Sequence, residues 1–297
     1  MAMGMTRQEP VAVLGIGAMG HAMATSMLRA GIPTIVWNRS PTPTRDLAGL
    51  GAEVAETVAD AARRAAIVVT MVTDTDAVMS IVRDQGMLAA LRPGAVWVQM
   101  GTIGVAGFER VAAMVQLERP DVTLLDAPVS GSREPAEQGQ LTIFASGPEE
   151  ARPRVAGLFD ALGQHTIWVG AVGAGSRLKL VNNTLVAFAA EAVAASVALA
   201  RRLGLETGTV LEALGGGPLV SPWQAAKLER IAEGEFSAQF ALSLALKDVR
   251  LAFQAADGGF ATLGCLAEEW QQAVEQGLGD QDLTVVTRIL EQQGGMP

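Results

Sequence analysis

Residues 11–37 read VAVLGIGAMGHAMATSMLRAGIPTIVW, and the order of residue types in this stretch decides the fold. Four apolar residues, 11–14, form a short run of the kind a buried strand shows. Gly15-Ile16-Gly17-Ala18-Met19-Gly20 follows, residues 18–30 carry a helical pattern, and residues 34–37 are a second strand. Strand, GxGxxG, helix, strand is the context a dinucleotide-binding fingerprint requires. Gly15 allows the tight turn, Gly17 lets the backbone approach a pyrophosphate, and Gly20 lets helix and strand pack closely. The helix N-terminus then faces the phosphates. Gly15, Ile16, Gly17, Ala18, Met19 and Gly20 are therefore assigned to the cofactor; the rival reading is a coincidental glycine turn. His21 reads as a helix-surface residue.

The end of the second strand bears on which cofactor. An NAD site usually places Asp or Glu there to bind the ribose hydroxyls. This chain has Asn38-Arg39-Ser40. Arg39 can pair with a 2′-phosphate and stack on adenine, which favours NADP over NAD; otherwise Arg39 is a solvated loop residue. Strand and helix patterns go on alternating, with strands at 67–72, 95–99 and 123–127 and helices at 57–65 and 103–118. Thr57 and Asp60 look like a capping pair. Such repeats predict a doubly wound parallel sheet with ligands at the carboxyl ends of its strands. Met71, Val72, Thr73 and Thr102 lie at such ends and are assigned to the cofactor, although ordinary strand-end packing explains Met71 and Val72 equally well. Asp126-Ala127-Pro128-Val129-Ser130-Gly131-Ser132 then runs a strand into a small-residue turn. Ser130, Gly131 and Ser132 offer hydroxyls and backbone N–H groups that suit a substrate carboxylate, or they are only a turn. Strands at 141–145 and 166–169 flank a helix at 149–162.

Residues 170–205 read GAVGAGSRLKLVNNTLVAFAAEAVAASVALARRLGL. From 176 to 202 there is neither Gly nor Pro, so a helix about 40 Å long is expected. Lys179 and Asn183 share one face of it, and a lysine and an amide on a largely apolar helix need a reason. Beyond residue 205 only helices are expected: one capped by Thr207, one starting at Ser221-Pro222, one over 242–256 carrying Lys247-Asp248, one over 263–276 and one over 280–293. The fold class is thus α/β: a Rossmann domain over 1–170, a long interdomain helix, and an all-α domain within 171–297 for substrate binding and dimerisation.

Composition narrows the function classes. The net charge is −9 and aromatic residues are 4%, with no Tyr, which argues against nucleic acid or an anionic membrane as partner. Residues 1–10 lack a secretory apolar core, and 184–200 is shorter than a typical membrane span and contains Glu191, so a cytoplasmic location is expected. The one cysteine, Cys265, fits a reducing compartment and reads as a packed thiol. His21, His165 and Cys265 make no ligand set, so no metal is expected.

Four motifs in this order resemble the β-hydroxyacid dehydrogenases, the group that includes 3-hydroxyisobutyrate dehydrogenase, tartronate semialdehyde reductase and glyoxylate/succinic semialdehyde reductase. GIGAMG with WNRS resembles the family's cofactor motif, DAPVSGSREPAEQGQLTI its substrate motif, GAGSRLKLVNN its catalytic motif, and LKDVRLA its second cofactor motif. The resemblance implies that Lys179 is the catalytic lysine, that Asn183 is its partner, that Ser130, Gly131 and Ser132 hold the substrate carboxylate, and that Lys247 and Thr102 meet the nicotinamide end of NADP. It also implies a homodimer or homotetramer. GSREPAE is closest to the glyoxylate/succinic semialdehyde reductase branch, while Gln99-Met100-Gly101-Thr102 departs from the family's usual acidic residue and Ser-Thr. The implied reaction is hydride transfer between a short 3-hydroxy acid and its semialdehyde. Desolvation and a second cation such as Lys247 would bring a lysine pKa down from about 10.4 toward neutrality. The alternatives are an imine reductase, a non-catalytic cofactor-binding protein on the same fold, and a 6-phosphogluconate dehydrogenase. The first lacks this lysine, the second has lost it, and the third needs a basic phosphate site not found here.

Overall fold

The computed structural model describes residues 9–292; the N-terminal stretch 1–8 and Gln293, expected at the end of the last helix, lie outside them. The chain divides into two compact units, Met1–Lys179 and Leu180–Pro297.

The first unit is built on six parallel strands: β1 (Val11–Leu14), β2 (Thr34–Trp37), β3 (Glu53–Val54), β4 (Ile67–Thr70), β5 (Val96–Gln99) and β6 (Thr123–Asp126). Their order, β3-β2-β1-β4-β5-β6, is that of a dinucleotide-binding Rossmann sheet, reversing direction between β1 and β4. Register aligns the strand ends. Leu14 lies opposite Trp37 and Thr70, and Gln99 opposite Thr70 and Asp126, so five carboxyl ends form one row. Any loop that leaves this row starts level with its neighbours.

Helices cover both faces: α1 (Ala18–Arg29), α2 (Thr42–Gly49), α3 (Val58–Arg64), α4 (Thr75–Met79), α5 (Met87–Ala90) and α6 (Gly104–Glu118). Successive residues of β1 point to opposite faces. Val11 and Val13 pack with Met23 and Met27 of α1, while Ala12 and Leu14 pack with Ala61 of α3 and Trp97 of β5 on the other side. Burial on both faces explains why the strands read as continuous apolar runs. Thr57 caps α3 as expected, its hydroxyl accepting the Asp60 N–H at 3.0 Å.

Strands after Pro128 form a separate sheet. β7 (Val129–Ser130) runs antiparallel to β8 (Leu141–Ala145), which pairs parallel with β9 (Gly163–Trp168). Two further helices belong here, α7 (Arg133–Glu137) and α8 (Arg152–Leu162). The long helix α9 spans Ala174–Arg202, and the division between the units falls within it. Among the described residues it is the one helix long and apolar enough to cross a bilayer, by length and composition only. It carries Lys179, Asn183 and Glu191, which are out of place against lipid.

The second unit continues with α10 (Thr207–Leu214), α11 (Pro222–Ala232), α12 (Leu242–Ala255), α13 (Ala261–Ala273) and α14 (Thr287–Gln292). Ser221 and Gln224 form a reciprocal capping box for α11, with Pro222 at its first position. Three expectations need correction. Thr207 is not a cap: Glu206 takes that place, and the Thr207 hydroxyl accepts from Arg201 Nε at 2.9 Å. The single helix expected over 280–293 is a 3₁₀ turn (Leu283–Val286) followed by α14, because the buried Asp282 carboxylate takes the Thr284 N–H and hydroxyl and bends the start. Cys265 is exposed rather than packed, since it lies on the outer face of α13, whose inner face carries Leu263, Leu266 and Trp270.

Candidate active site

The row of strand ends sets out the cofactor side. Gly15 has φ +102°, and a Cβ there would lie 2.5 Å from the Met71 carbonyl oxygen and 2.6 Å from Val72 Cγ1. A Cβ on Gly20 would strike the Gly15 carbonyl, and one on Gly101 would strike that of Val72. Gly17 has open space beside it, with nothing within 4 Å of an added Cβ. The Ile16 N–H donates to Asn38 Oδ1 at 3.0 Å, and Asn38 Nδ2 donates to the Ser40 carbonyl at 2.9 Å. The turn Gly15–Gly20, the segment Asn38–Ser40, the pair Met71–Val72 and Gly101 are therefore brought together, and Thr102 follows directly.

This ground fits a dinucleotide. Helix α1 starts at Gly17 with no side-chain cap and no acidic residue in its first turn. Its leading N–H groups and positive end suit a pyrophosphate. Arg39 is exposed beside Asn38. Thr73 is engaged differently: its hydroxyl donates to Asp74, whose other oxygen caps α4 by accepting the Ala77 N–H at 2.8 Å.

Beneath Thr102 lies a buried polar chain that the sequence did not reveal. Trp97 Nε1 donates to Thr70 Oγ1 at 2.9 Å, and Thr70 Oγ1 donates to Gln99 Oε1 at 2.8 Å. Gln99 Nε2 then donates to the Gly101 carbonyl at 2.7 Å. A neutral amide can satisfy both Thr70 and the Gly101 loop, which gives the glutamine its place there.

The substrate motif and the catalytic motif meet at Asp126. This carboxylate, the last residue of β6, is fully buried. It accepts the Ser176 N–H at 2.7 Å and the Ser176 hydroxyl at 2.8 Å, while Ser146 Oγ accepts the Gly175 N–H at 3.0 Å. Gly175 packs so tightly that an added Cβ would strike the Phe144 carbonyl and lie 3.1 Å from Pro128 Cδ. Burial pushes the Asp126 pKa up to about 6, with the hydrogen bonds from Ser176 and Ser146 and the charge of Arg177 opposing it. Two residues past Pro128 comes Ser130, in β7; then Gly131 with φ +129°; then Ser132, which starts α7 without a side-chain cap. Three residues past Ser176 comes Lys179. The role of Asp126 links positions 50 residues apart, and its only local signal is a carboxylate ending an apolar strand.

In the second unit, Asn183 Nδ2 donates to Asp248 Oδ2 at 2.5 Å, and Lys247 Nζ lies 2.7 Å from Asp248 Oδ1. Asn183 and Asp248 are both buried. Asp248 thus fixes Asn183 by a hydrogen bond and pairs by charge with Lys247, two of the expected site residues. Lys179 and Asn183 stand one turn apart on α9. Among the described residues no group of three or more His, Cys, Asp or Glu could hold a metal ion.

The chain is similar to known proteins over nearly its whole length. Residues 10–170 match the family described as the NAD binding domain of 6-phosphogluconate dehydrogenase, and residues 173–290 match the NAD-binding domain of NADP-dependent 3-hydroxyisobutyrate dehydrogenase. Glyoxylate/succinic semialdehyde reductase 1 of Arabidopsis thaliana is 30% identical over 95% of this chain and 98% of its own. The crystal structure of 3-hydroxyisobutyrate dehydrogenase from Salmonella typhimurium superposes with a TM-score of 0.86 at 26% identity, covering 95% of this chain and 100% of that one. An imine reductase from Myxococcus stipitatus shares the fold at TM-score 0.65 and 23% identity, covering 95% and 99%. With a Rossmann sheet, a glycine turn open to a pyrophosphate and matches over nearly its whole length, the chain belongs to the β-hydroxyacid dehydrogenase family and is an NAD(P)-dependent oxidoreductase.

Proposed function

We propose that the chain is an NADP-dependent enzyme interconverting a short 3-hydroxy acid and its semialdehyde, of the glyoxylate/succinic semialdehyde reductase or 3-hydroxyisobutyrate dehydrogenase kind, with Lys179 as general acid and base. The observation that carries the reading is the junction at Asp126, where the strand leading to Ser130–Ser132 and the helical turn leading to Lys179 are bonded together. A carboxylate-binding turn and an ammonium group are what a hydroxy acid and its aldehyde require.

Gly15–Gly20, Asn38, Arg39, Ser40, Met71, Val72, Thr73, Thr102 and Lys247 would hold the dinucleotide. When bound, the nicotinamide supplies or accepts the hydride. Ser130, Gly131 and Ser132 take the substrate carboxylate and thereby orient the carbonyl. Negative charge grows on that carbonyl oxygen during reduction. Lys179 Nζ stabilises it and gives up a proton to it, and in the oxidative direction takes the hydroxyl proton back. Asn183, fixed by Asp248, orients the substrate or the ammonium without adding charge. Arg39 and the absence of a carboxylate at Asn38–Ser40 support NADP over NAD.

A domain boundary at residue 170, a cytoplasmic location, and a homodimer or homotetramer formed through the helical part complete the proposal. On α9 the apolar side chains Val181, Leu185 and Leu199 are exposed, which supports self-association. The imine reductase and non-catalytic readings are disfavoured by Lys179 and by the segment Ala127–Gly131.

The test compares NADPH with NADH over glyoxylate, succinic semialdehyde, tartronate semialdehyde and cyclic imines, in wild type and in Lys179→Ala. Turnover of an aldehyde acid is expected, with kcat falling by about 10³-fold or more in the variant and NADPH affinity nearly intact. An active Lys179→Ala enzyme sinks the lysine assignment; activity on imines alone sinks the substrate class.

A further inference from the structure

The buried carboxylate of Asp126 is used by no step above, yet it sits where the catalytic helix begins. We propose that Asp126 is a positioning residue for Lys179: by holding the N–H and the hydroxyl of Ser176, it sets the helical turn that carries the Lys179 ammonium. The proposal rests on the reading of Lys179 as general acid and base.

Geometry carries it. Asp126 ends β6 in the row of strand ends, so its position is that of the sheet itself. Its two oxygens take separate donors of one residue, Oδ2 the Ser176 N–H at 2.7 Å and Oδ1 the Ser176 hydroxyl at 2.8 Å. Backbone bonds between Asp126 and Ser146 run in both directions, at 3.0 and 2.8 Å, and Ser146 Oγ accepts the Gly175 N–H. Gly175 admits no side chain. The first turn of α9 is thus clamped at two consecutive N–H groups, and Lys179 is the residue three positions further on. A carboxylate at a helix N-terminus is also favoured by the helix dipole. With Asp126, Ser146, Gly175 and Ser176 all buried, water cannot replace a lost bond.

A consequence follows for pH. The charged group acting on Asp126 is Arg177 of α9, itself paired with Glu109 of α6 at 3.1 Å; the other facing groups are the hydroxyls of Ser146 and Ser176. Burial raises the Asp126 pKa to about 6. Above that pH an anionic acceptor holds the turn; below it a neutral acid does so more weakly. The acid limb of kcat therefore belongs to Asp126, whereas the loss of the Lys179 proton belongs to the alkaline limb.

The experiment uses the full-length protein with NADPH and either succinic semialdehyde or glyoxylate, in wild type, Asp126→Asn, Ser176→Ala and Lys179→Ala. Steady-state kcat and KM are measured from pH 5 to 9, with NADPH affinity by fluorescence titration and hydrogen exchange of the amides at 175–179. Asp126→Asn is expected to lower kcat about ten- to a hundred-fold at pH 8, to leave NADPH affinity within about twofold, to abolish the acid limb near pH 6, and to speed exchange in that turn. Ser176→Ala removes one donor that favours the anion, so its acid limb should move up by about half a pH unit. It carries the same test if Asp126→Asn fails to fold. A wild-type kcat and acid limb in either variant, with Lys179→Ala inactive, overturns the positioning role alone. An active Lys179→Ala overturns the lysine reading on which it rests, and the hydrogen exchange then still reports whether Asp126 clamps the helix.

Discussion

Replacing Glu191 by glutamine should make the protein more stable at pH 8 and only slightly more so at pH 5. Glu191 lies on α9 within the helical unit and accepts the Trp270 indole N–H at 2.8 Å. Burial pushes its pKa up to about 7, Glu269 beside it pushes the same way, and the Trp270 bond opposes. Its ordinary value is 4.5. Between these two pH values the folded state keeps a proton that the unfolded state has released, so stability falls as pH rises through that window and levels off above it. At about 1.4 kcal/mol per pH unit, the full shift would cost about 3 kcal/mol at pH 8. Solvent screening and the interaction of Glu191 with neighbouring Glu269 reduce this to about 1–2 kcal/mol. Glutamine keeps a carbonyl for Trp270 and offers an N–H to Glu269, so the shape and the indole bond survive while the charge goes. Urea denaturation at pH 5 and pH 8, followed by circular dichroism and Trp fluorescence, measures the effect. A gain of about 1–2 kcal/mol at pH 8 shrinking to a few tenths at pH 5 is expected. Equal effects at the two pH values, or a loss at pH 8, would refute the reasoning.

Two further expectations concern other charges. Arg39→Ala should weaken NADPH binding by about ten- to a hundred-fold, the worth of a charge-assisted contact, and change NADH binding by less than about twofold; parallel fluorescence titrations decide it. Lys227→Met should destabilise the protein by about 3 kcal/mol in chemical denaturation, because Lys227 Nζ holds both oxygens of the fully buried Asp282 at 2.9 Å. Lys227→Met combined with Asp282→Asn should recover part of that loss, since the stranded charge is then gone.

What the sequence disclosed and what it hid divide along physical lines. Strands β1 and β2 were readable to the residue: β1 is an unbroken apolar run between Pro10 and Gly15, and β2 is a short β-branched and aromatic run that begins after Pro33. The glycine turn was readable because only glycine fits where Gly15 meets the Met71 carbonyl. Helix α2 and strand β3 passed unseen: α2 has Pro43 in its first turn, and β3 is two exposed residues. Asp126, Gln99 and Asp248 were hidden for a different reason. Each acts through hydrogen bonds to partners brought near by the fold, 50 residues away for Asp126 and Ser176 and 65 for Asp248 and Asn183. A local pattern names such a residue as polar; only the packed chain shows that its bonds hold the site.

The clamp at the start of α9 also bears on recombining this chain with its relatives. The two family matches meet between residues 170 and 173, in a glycine-bearing loop that invites a crossover. A chimera joined there takes Asp126 from one parent and Ser176 from the other. If the incoming helix brings no donor at that position, a buried carboxylate is left short of a partner at the seam. Compatibility between parents therefore depends less on overall identity than on whether these two positions are exchanged as a pair.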